Sequence, residues 1–410
     1  SRPLGAGNAL KPDGVSCARH LRKSSAGFCA SWVQCPYAQF ADWGGEMGRA
    51  VDERVRRALD DAQRAGACLA PRERALREAL RRRATVWRLH SPSAGLYVRA
   101  GWWNSLGATE RTLALVRGLA AQHPNWVFCG TTAALLHGLA VSHDDLCEIH
   151  VVGCSQNRPA ASAWLRSHRI EDPGVTLVGG VRVTSLERTA FDCMRDLEFS
   201  RALAIADSTL RRTGLTRRGL TRVLSSHFSC HRGVSRACRV AALATSRCEN
   251  GGESILRAQL LRLGFTPPHM QICVADPLEP HASFRLDAGW LARRGAVGVE
   301  LDGAQKYRDP AFTDGRSFSA TLLRERRREA RLTAAGVRVA RFSYGEVLDD
   351  ACLVRTLRAY GVRPGAAPEL VDGVPLVADA PLVLGVPMTV VDERLCELCG
   401  WKVLATTLVA

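Results

Sequence analysis

Three carboxylates within one short stretch are the side chains of this sequence best placed to do chemistry. Asp287, Glu300 and Asp302 belong to Ser283 to Tyr307, a stretch whose pattern predicts two adjacent strands joined by a short loop. Side chains alternate along a strand, so the three carboxylates can project from one face. Crowded carboxylates repel each other, and a divalent metal is the simplest group that would offset the repulsion. The stretch therefore predicts a metal site, with a surface strand pair carrying solvated charges as the alternative.

The other face of both strands is apolar at every second position. If these apolar faces pack on one core, the carboxylates are left together on the opposite side of the sheet. The side chains expected on the core face are Phe284, Leu286, Ala288, Trp290, Val297, Val299 and Leu301.

A lysine follows the second strand. Lys306 lies four residues after Asp302, in a chain that has four lysines among its 56 lysines and arginines. An ammonium group is compact enough to orient a water molecule or to neutralise a leaving oxygen. Lys306 is therefore the candidate for that role, and an ordinary surface lysine is the alternative.

The elements around the two strands predict how the carboxylates are positioned. Apolar residues at helical spacing precede them, and a long charged helix and an apolar strand follow. The predicted order is helix, three strands, helix and strand, with one further helix at the end. The predicted bounds outside the central strands are Glu253–Leu263, Met270–Ala275, Phe318–Ala335, Val337–Phe342 and Tyr344–Tyr360.

This order, together with the motifs GGES, RLDAGW, VELDGAQKY and GVRVARFSYGEV, resembles the PD-(D/E)XK nuclease superfamily. The similar branch is the Vsr-like endonuclease-domain proteins of actinobacteria, and the resemblance covers about Asn250 to Val362. It implies a restriction-endonuclease-like core, Mg²⁺ or Mn²⁺ as cofactor, and metal binding by Glu253, Asp287 and Glu300. The catalytic residues that it implies are Glu253, Asp287, Glu300, Asp302 and Lys306.

The sequence departs from this superfamily at Asp302, which stands where a lysine is usual. Vsr-like branches often carry a polar or basic residue a few positions later, and Lys306 stands near that place. The departure bears on turnover more than on metal binding.

The first hundred residues predict a DNA-binding segment. Residues 1–45 have no sustained period and are expected to be disordered or loosely structured. From Gly48 the pattern becomes helical, and Pro71 suits the first turn of a second helix that runs through Arg83. Two short strands follow, so residues 46–105 predict a winged-helix-like segment, with a solvated basic helix on a structural cap as the alternative. The arginines expected to contact DNA here are Arg72, Arg74, Arg77 and Arg81.

Residues 106–247 predict a small α/β domain with a helical connector. The pieces WVFCGTTAALLHGL and GVRVTSLERTAFD resemble the AbiEi-type antitoxin family of actinobacteria, over about residues 70 to 245. This resemblance implies DNA binding and regulation rather than catalysis. His137 lies in an apolar helix and is expected to be a hydrogen-bonded core histidine. Arg188 and Asp192 have the spacing of an i,i+4 ion pair.

Positive charge is concentrated before residue 248. The net charge is +16, residues 248–365 hold 18 basic and 14 acidic side chains, and the tail from Ala366 holds 2 and 6. This distribution predicts a polyanionic partner, with an arginine bias on an ordinary surface as the alternative. Arginines of the long C-terminal helix could also reach DNA, unless Glu325 and Glu329 pair with them. These arginines are Arg324, Arg327, Arg328 and Arg331.

No targeting segment or membrane span is recognisable in the sequence. There is no run of about 18 apolar residues, which predicts a protein without a membrane partner. The 15 cysteines form no disulfide framework, and Cys396 and Cys399 make a lone C-x-x-C. These features predict a reduced, cytoplasmic protein.

These patterns predict an α/β multidomain protein with a nuclease-like domain at residues 248–365 and an irregular tail at 366–410. The first function is a metal-dependent endonuclease acting on double-stranded DNA. The alternative is a non-catalytic DNA-binding regulator of the AbiEi antitoxin type, in which the nuclease-like domain is degenerate. An RNA substrate and a homodimer both stay open at this point.

Overall fold

The computed structural model describes residues 46–153, 164–279, 281–292, 295–302 and 318–365, and three two-residue strands of the tail. The chain divides into two compact units, Ser1–Arg54 and Val55–Ala410. The predictions for residues 1–45, for Lys306 and for most of the tail lie outside the described residues. Among the helices that are described, none has the length and apolar character needed to cross a membrane.

Helices and a short antiparallel hairpin form the first part of the described chain. Val55, Leu59, Leu80 and Tyr97 are buried in one apolar cluster of this part. The elements are α1 (Glu46–Arg64), α2 (Arg74–Arg83), β1 (Leu89–His90), β2 (Val98–Arg99) and α3 (Ala100–Ser105).

The second helix begins later than Pro71, where the sequence pattern placed its first turn. Leu69 and Tyr97 exchange two backbone hydrogen bonds with N···O distances of 2.8 and 2.9 Å, so the chain is still strand-like before Pro71. Glu73 is the N-cap and has an extended backbone, with φ −82° and ψ 137°. The helix therefore starts at Arg74, and the prediction that it starts at Pro71 is wrong.

Short strands and helices alternate in the middle region. β3 and β4 are parallel, β5 and β6 form an antiparallel hairpin, and Phe128 bridges to both pairs. The elements are α4 (Ala108–Gln122), α5 (Gly130–Leu136), a 3-10 helix (His143–Cys147), β3 (Ile149–Val152), β4 (Leu165–His168), β5 (Thr176–Val178) and β6 (Val181–Val183).

Four helices complete the middle region: α6 (Leu186–Asp196), α7 (Phe199–Thr213), α8 (Arg217–His227) and α9 (Val234–Ala242). Their apolar faces share one buried cluster. Gly214 ends α7 in the left-handed conformation with φ +70°, which glycine adopts without steric strain. Helices α8 and α9 lie in the last part of residues 106–247, where a helical connector was expected, and they pack in this cluster.

Two local predictions for the middle region are confirmed. His137 is buried, and its Nε2 lies 2.9 Å from the carbonyl oxygen of Thr184. Arg188 Nε donates to Asp192 Oδ2 at 2.8 Å within one helix, and both side chains are buried. Both contacts stabilise the fold of α5 and α6.

The C-terminal region is built on a five-stranded sheet of order β10-β9-β8-β7-β13. β10 is parallel to β9 and β13 is parallel to β7, whereas β7, β8 and β9 are antiparallel neighbours. The predicted succession of helix, three strands, helix and strand is present. The elements are α10 (Gly251–Arg262), β7 (His269–Ala275), β8 (Ser283–Ala292), β9 (Gly295–Asp302), α11 (Phe318–Ala334), β10 (Val337–Ser343), α12 (Tyr344–Leu348), α13 (Asp350–Ala359), β11 (Leu370–Val371), β12 (Val374–Pro375) and β13 (Val383–Leu384).

The final helix predicted from Tyr344 to Tyr360 is interrupted. Asp349 has the non-helical angles φ −91° and ψ 100°, and its side chain accepts a hydrogen bond from the backbone N–H of Cys352 at 3.1 Å. An aspartate in this position caps the helix that follows it. The prediction of one helix is therefore wrong, and α12 and α13 are separate.

Two apolar clusters cover the two faces of the sheet. One cluster joins Val299 and Ala340 to α10 and α13, and the other joins Ala296 and Val337 to α11. Residues three apart on a strand point to opposite faces, so these clusters lie on opposite sides. We call them the α10 face and the α11 face.

The apolar side chains of strand β8 lie on one face of the sheet in its first half and on the other face in its second half. Phe284 and Leu286 pack in the cluster of the α11 face, whereas Ala288 and Trp290 pack in the cluster of the α10 face. The prediction that these four side chains share one face is therefore wrong.

The change of face occurs at Gln271 and Asp287. Gln271 lies in β7 between two regular pairs with β8, and its φ of +56° is left-handed. A residue in that conformation breaks the alternation of side chains along a strand. Asp287 stands opposite it in the register of β8, so both strands lose their regular pleat at the same level.

A buried ion pair joins the middle region to the C-terminal region. The side chains of Arg257 on α10 and Asp207 on α7 are fully buried, with an N···O distance of 3.5 Å. Asp207 Oδ1 also accepts from the backbone N–H of Thr245 at 2.7 Å, and Arg257 donates to the carbonyl of Leu243. Helix α10 is therefore fixed to α7 as well as to its own sheet.

Candidate functional site

Glu253 stands at the first turn of α10 and points into the protein. Its backbone N–H donates to the Asn250 side chain at 3.0 Å, which caps the helix. Its carboxylate accepts from the Glu249 N–H at 2.7 Å, from Asn250 Nδ2 at 2.5 Å and from Gln271 Nε2 at 2.8 Å. Glu253 is 3% exposed, so these three donors replace water around the carboxylate.

The pKa of Glu253 is raised from 4.5 to about 7, and burial is the largest cause. The nearby charge of Asp287 raises this pKa further, while the hydrogen bonds from Glu249 and Gln271 lower it. Near neutral pH the group is therefore poised between its two protonation states. A cation placed beside it would favour the carboxylate.

Asp287 lies at the point where the regular backbone pairing of β8 with β9 ends. The regular pairing of these strands ends at Ala288 and Val299, and beyond it Asp287 Oδ2 accepts from the backbone N–H of Leu301 at 2.8 Å. The side chain thus occupies the acceptor position that a strand carbonyl would otherwise fill. Its charge acts on the pKa of Glu253, which places the two carboxylates in one neighbourhood.

Glu300 lies on the α11 face, where two arginines hold it. Arg328 donates to both of its oxygens, with the Nη1 bond at 3.0 Å, and Arg341 Nε lies 3.3 Å from Oε2. Burial lowers the pKa of Arg328, but the hydrogen bond and charge of Glu300, together with the charges of Glu325 and Asp287, leave this pKa raised. Glu300 is therefore neutralised by guanidinium groups, and it can bind a metal only if these groups move away.

The arginines of α11 fall into two sets. Arg331 donates to Asp276 at 2.6 Å and to Glu279 at 2.8 Å, so it is engaged like Arg328. Arg324 and Arg327 are exposed to solvent. Glu325, which the sequence suggested as a partner for helix arginines, pairs instead with Arg341 of β10 at 3.2 Å.

Two predicted site residues lie at or beyond the end of β9. Asp302 is the last residue of the strand and is exposed, next to Ser343 in the register of β10. Lys306 lies outside the described residues. Their proposed roles stay predictions.

Gln271 is the residue of this site that the sequence did not indicate. Its Nε2 binds Glu253, and its Oε1 is buried without a hydrogen-bond partner among the described residues. A buried amide oxygen without a donor is unusual in proteins. In the sequence Gln271 is one polar residue inside an apolar strand, and its left-handed backbone left no signal there.

The oxygen atoms around Glu253 could supply some, but not all, of the ligands that a hard divalent cation needs. Glu253, Asp287 and the amide oxygen of Gln271 are the type of ligand that Mg²⁺ accepts, and the unpartnered amide oxygen supports this fit. Among the described residues there is no cluster of three or more His, Cys, Asp or Glu side chains able to hold a metal. Water or substrate oxygens would have to complete the coordination.

The arginines predicted to read DNA near α2 are exposed. Arg74 pairs with Glu78 at 2.9 Å, and Arg77 donates to the carbonyl of Pro71 at 3.3 Å. Arg72 and Arg81 face solvent on either side of them. This part of the chain therefore presents guanidinium groups that a phosphate backbone could contact.

Comparisons with known proteins identify no similar protein. No family model, curated protein or solved structure matches this chain. The described residues form a mixed α/β architecture whose C-terminal sheet carries the candidate residues.

Proposed function

We propose that the chain is a metal-dependent endonuclease that binds double-stranded DNA through the basic region before residue 248. The observation that carries the proposal is the buried Glu253 carboxylate, with a pKa of about 7, beside Asp287 and the unpartnered amide oxygen of Gln271. Burying such a charge is costly, and a cation bound nearby would offset the cost further than its three hydrogen bonds do. The resemblance to PD-(D/E)XK nucleases supports two of these residues, Glu253 and Asp287, and adds Glu300 in place of Gln271.

Glu253, Asp287 and Gln271 would hold Mg²⁺ or Mn²⁺ in this proposal. A bound divalent metal supplies an activated water and neutralises charge at the scissile phosphate. Glu253 would bind as the carboxylate, because a nearby cation lowers the pKa of such a group. Asp287 stays fixed by its hydrogen bond from Leu301.

Glu300 has a positioning role in this proposal. It holds Arg328 and Arg341 on one side of the site, with Arg328 in a two-pronged contact. A guanidinium fork also matches the oxygens of a phosphate. Arg328 would therefore exchange part of its contact with Glu300 for a phosphate of the substrate.

The second candidate is a DNA-binding regulator of the AbiEi antitoxin type without catalysis. The two arginines on Glu300 favour it, because they occupy the carboxylate that the nuclease resemblance assigns to the metal. Asp302 in the usual place of a lysine favours it as well. In that case the C-terminal sheet is a binding module.

The deciding experiment incubates the full chain with supercoiled plasmid and Mg²⁺ or Mn²⁺, with EDTA as the metal-free control. The wild type should nick the plasmid, and Asp287→Asn should not, because the change removes one charge from the metal site. Asp350→Asn is the matched control, since Asp350 is a partly exposed carboxylate paired with Arg262 on the same domain. DNA binding without cleavage in any divalent metal would favour the regulator.

A further inference from the structure

Helices α8 and α9 carry a strongly basic surface in the middle region. Residues 208–248, which contain both helices, hold nine arginines, no lysine, and no aspartate or glutamate. Nine positive charges are more than half of the net charge of +16 that the whole chain carries. A surface on which one sign of charge prevails attracts ligands of the opposite sign, so we expect this part of the chain to bind a polyanion.

One row of apolar side chains holds helix α8 to the protein. Leu220 and Leu224 are the two buried residues of the helix, and Phe228 continues the row just beyond its end. All three pack in the apolar cluster that α6, α7 and α9 share. The other nine of the 11 residues of α8 are partly or fully exposed, so most of the circumference of this helix faces solvent.

The exposed side of α8 is polar and carries two arginines. Arg218, Arg222 and Ser226 follow each other at intervals of four residues, which places them on one side of the helix. Within the part of the chain that the structure describes, the guanidinium groups of Arg218 and Arg222 make no hydrogen bond or ion pair. Both groups therefore have all their N–H donors available for a ligand.

Arginines of other surface helices differ from these two. Arg74 of α2 pairs with Glu78 at 2.9 Å, and Arg331 of α11 pairs with Asp276 at 2.6 Å. Such a pair has to be broken before the guanidinium group can bind a phosphate. Arg239 of α9 is exposed and, among the described residues, is as unpaired as the two arginines of α8.

The connection from α7 to α8 is short. Three residues, Gly214, Leu215 and Thr216, join the two helices. Gly214 has a left-handed φ of +70°, and the Thr216 side chain caps α8 by accepting from the Gly219 N–H at 3.1 Å. A turn of three or four residues with a glycine is typical of helix-turn-helix motifs, in which the second helix lies in the major groove of DNA. Helix α8 has the place of that second helix.

Duplex DNA fits α8 better than a membrane or duplex RNA does. A helix that lies on a membrane buries its apolar face in the lipid, whereas the apolar row of α8 is buried in the protein core. The major groove of B-DNA is about 12 Å wide and admits a helix. The major groove of duplex RNA is deep and narrow, and side chains do not reach into it.

We propose that α8 lies in the major groove of duplex DNA and that Arg218 and Arg222 bind the phosphates beside this groove. A guanidinium group donates two parallel hydrogen bonds to the oxygens of a phosphate. This inference rests on the DNA binding proposed above, and it assigns part of that binding to a surface of the middle region.

The test measures binding of a fluorescent DNA duplex to the full chain, in EDTA and at several salt concentrations. Replacing Arg218 and Arg222 together by alanine should weaken binding about tenfold. It should also lower the slope of log affinity against log salt by about 2, about 0.9 for each phosphate contact. The matched control replaces Arg355 and Arg358 by alanine, because these are also exposed arginines of one surface helix, α13. The control should keep the affinity and the slope of the wild type.

A duplex RNA of the same sequence tests whether α8 enters the groove. The alanine variant of α8 should lose less affinity for RNA than for DNA, because the helix does not fit the major groove of RNA. An equal loss on both duplexes, or an equal loss in the control variant, shows that net charge alone matters and overturns the proposal. Binding to vesicles of anionic phospholipid that depends on Arg218 and Arg222, with no such dependence for DNA, overturns it as well.

Two further measurements separate this inference from the proposed function and from misfolding. A wild type that does not bind duplex DNA refutes both proposals. If the wild type binds and the α8 variant binds equally well, while the joint replacement of Arg72 and Arg81 weakens binding, this inference alone is refuted. The urea midpoint of the α8 variant should equal that of the wild type, since neither guanidinium group has a partner in the described structure. Should alanine lower that midpoint, glutamine at both positions provides the same test.

Discussion

Replacing Glu253 by glutamine is expected to stabilise the metal-free protein above pH 7. Burial raises the pKa of Glu253 from 4.5 to about 7, so the folded protein holds this proton more tightly than the unfolded chain. The contribution of this group to stability is then fully present below about pH 4.5 and is lost as the pH rises through about 7. Glutamine does not titrate in this pH range. The unfolding free energy of Glu253→Gln should therefore not fall between pH 4.5 and 7 as the contribution of Glu253 does.

The size of the effect follows from the pKa and from the contacts of the carboxylate. A rise from 4.5 to about 7 corresponds to about 3 kcal/mol of stability lost at high pH. Asn250 Nδ2 donates to Glu253 Oε1, so a glutamine amide would meet a donor there and lose one hydrogen bond, about 1 kcal/mol. The variant should therefore exceed the wild type by about 2 kcal/mol at pH 8. At pH 4 it should be no more stable than the wild type.

The assay is urea unfolding of the full chain at pH 4, 6 and 8 with EDTA, repeated at pH 8 with Mg²⁺. Metal should stabilise the wild type and have little effect on Glu253→Gln, because the carboxylate that gains from the cation is missing. Glu279→Gln, an exposed carboxylate paired with Arg331, is the control and should keep the pH dependence of the wild type. An identical pH slope in wild type and Glu253→Gln would refute the assignment of the raised pKa.

Two further predictions concern catalysis and DNA binding. Lys306→Ala should abolish plasmid cleavage with DNA affinity nearly intact, since one phosphate contact among many is a small loss; equal cleavage by both proteins would contradict a catalytic Lys306. Replacing Arg72 and Arg81 together by alanine should weaken duplex binding and reduce the slope of log affinity against log salt by about 2, about 0.9 for each phosphate contact. Arg262→Ala, in the C-terminal region, is the control, and an unchanged slope in the double variant would place the DNA contacts elsewhere.

The features that the sequence could predict depend on neighbours along the chain. Helix α6 (Leu186–Asp196) is marked by local signals, namely its apolar spacing and its Ser185 cap. The ion pair of Arg188 and Asp192 is set by helix geometry alone. The succession of strands around Asp287 is local in the same sense.

The features that the sequence missed depend on contacts between distant residues. Arg328 and Glu300 are 28 residues apart and meet only because α11 packs on the face of β9 that carries Glu300. The change of face at Gln271 cannot be seen in an alternating pattern, because the pattern assumes a regular pleat. The sequence therefore does not indicate that arginines hold Glu300 or that Gln271 lies beside Glu253.

The buried pair of Asp207 and Arg257 has a consequence for how this protein can be divided. Glu253 lies one helical turn before Arg257 on α10. The helix that positions the candidate metal ligand Glu253 is therefore also the helix that pairs with Asp207 of the middle region. A fragment cut near residue 248 would carry Arg257 without its partner and expose a charge that the whole chain neutralises. We therefore expect the C-terminal region to fold best together with the middle region, because on its own it would lose this support of its first helix.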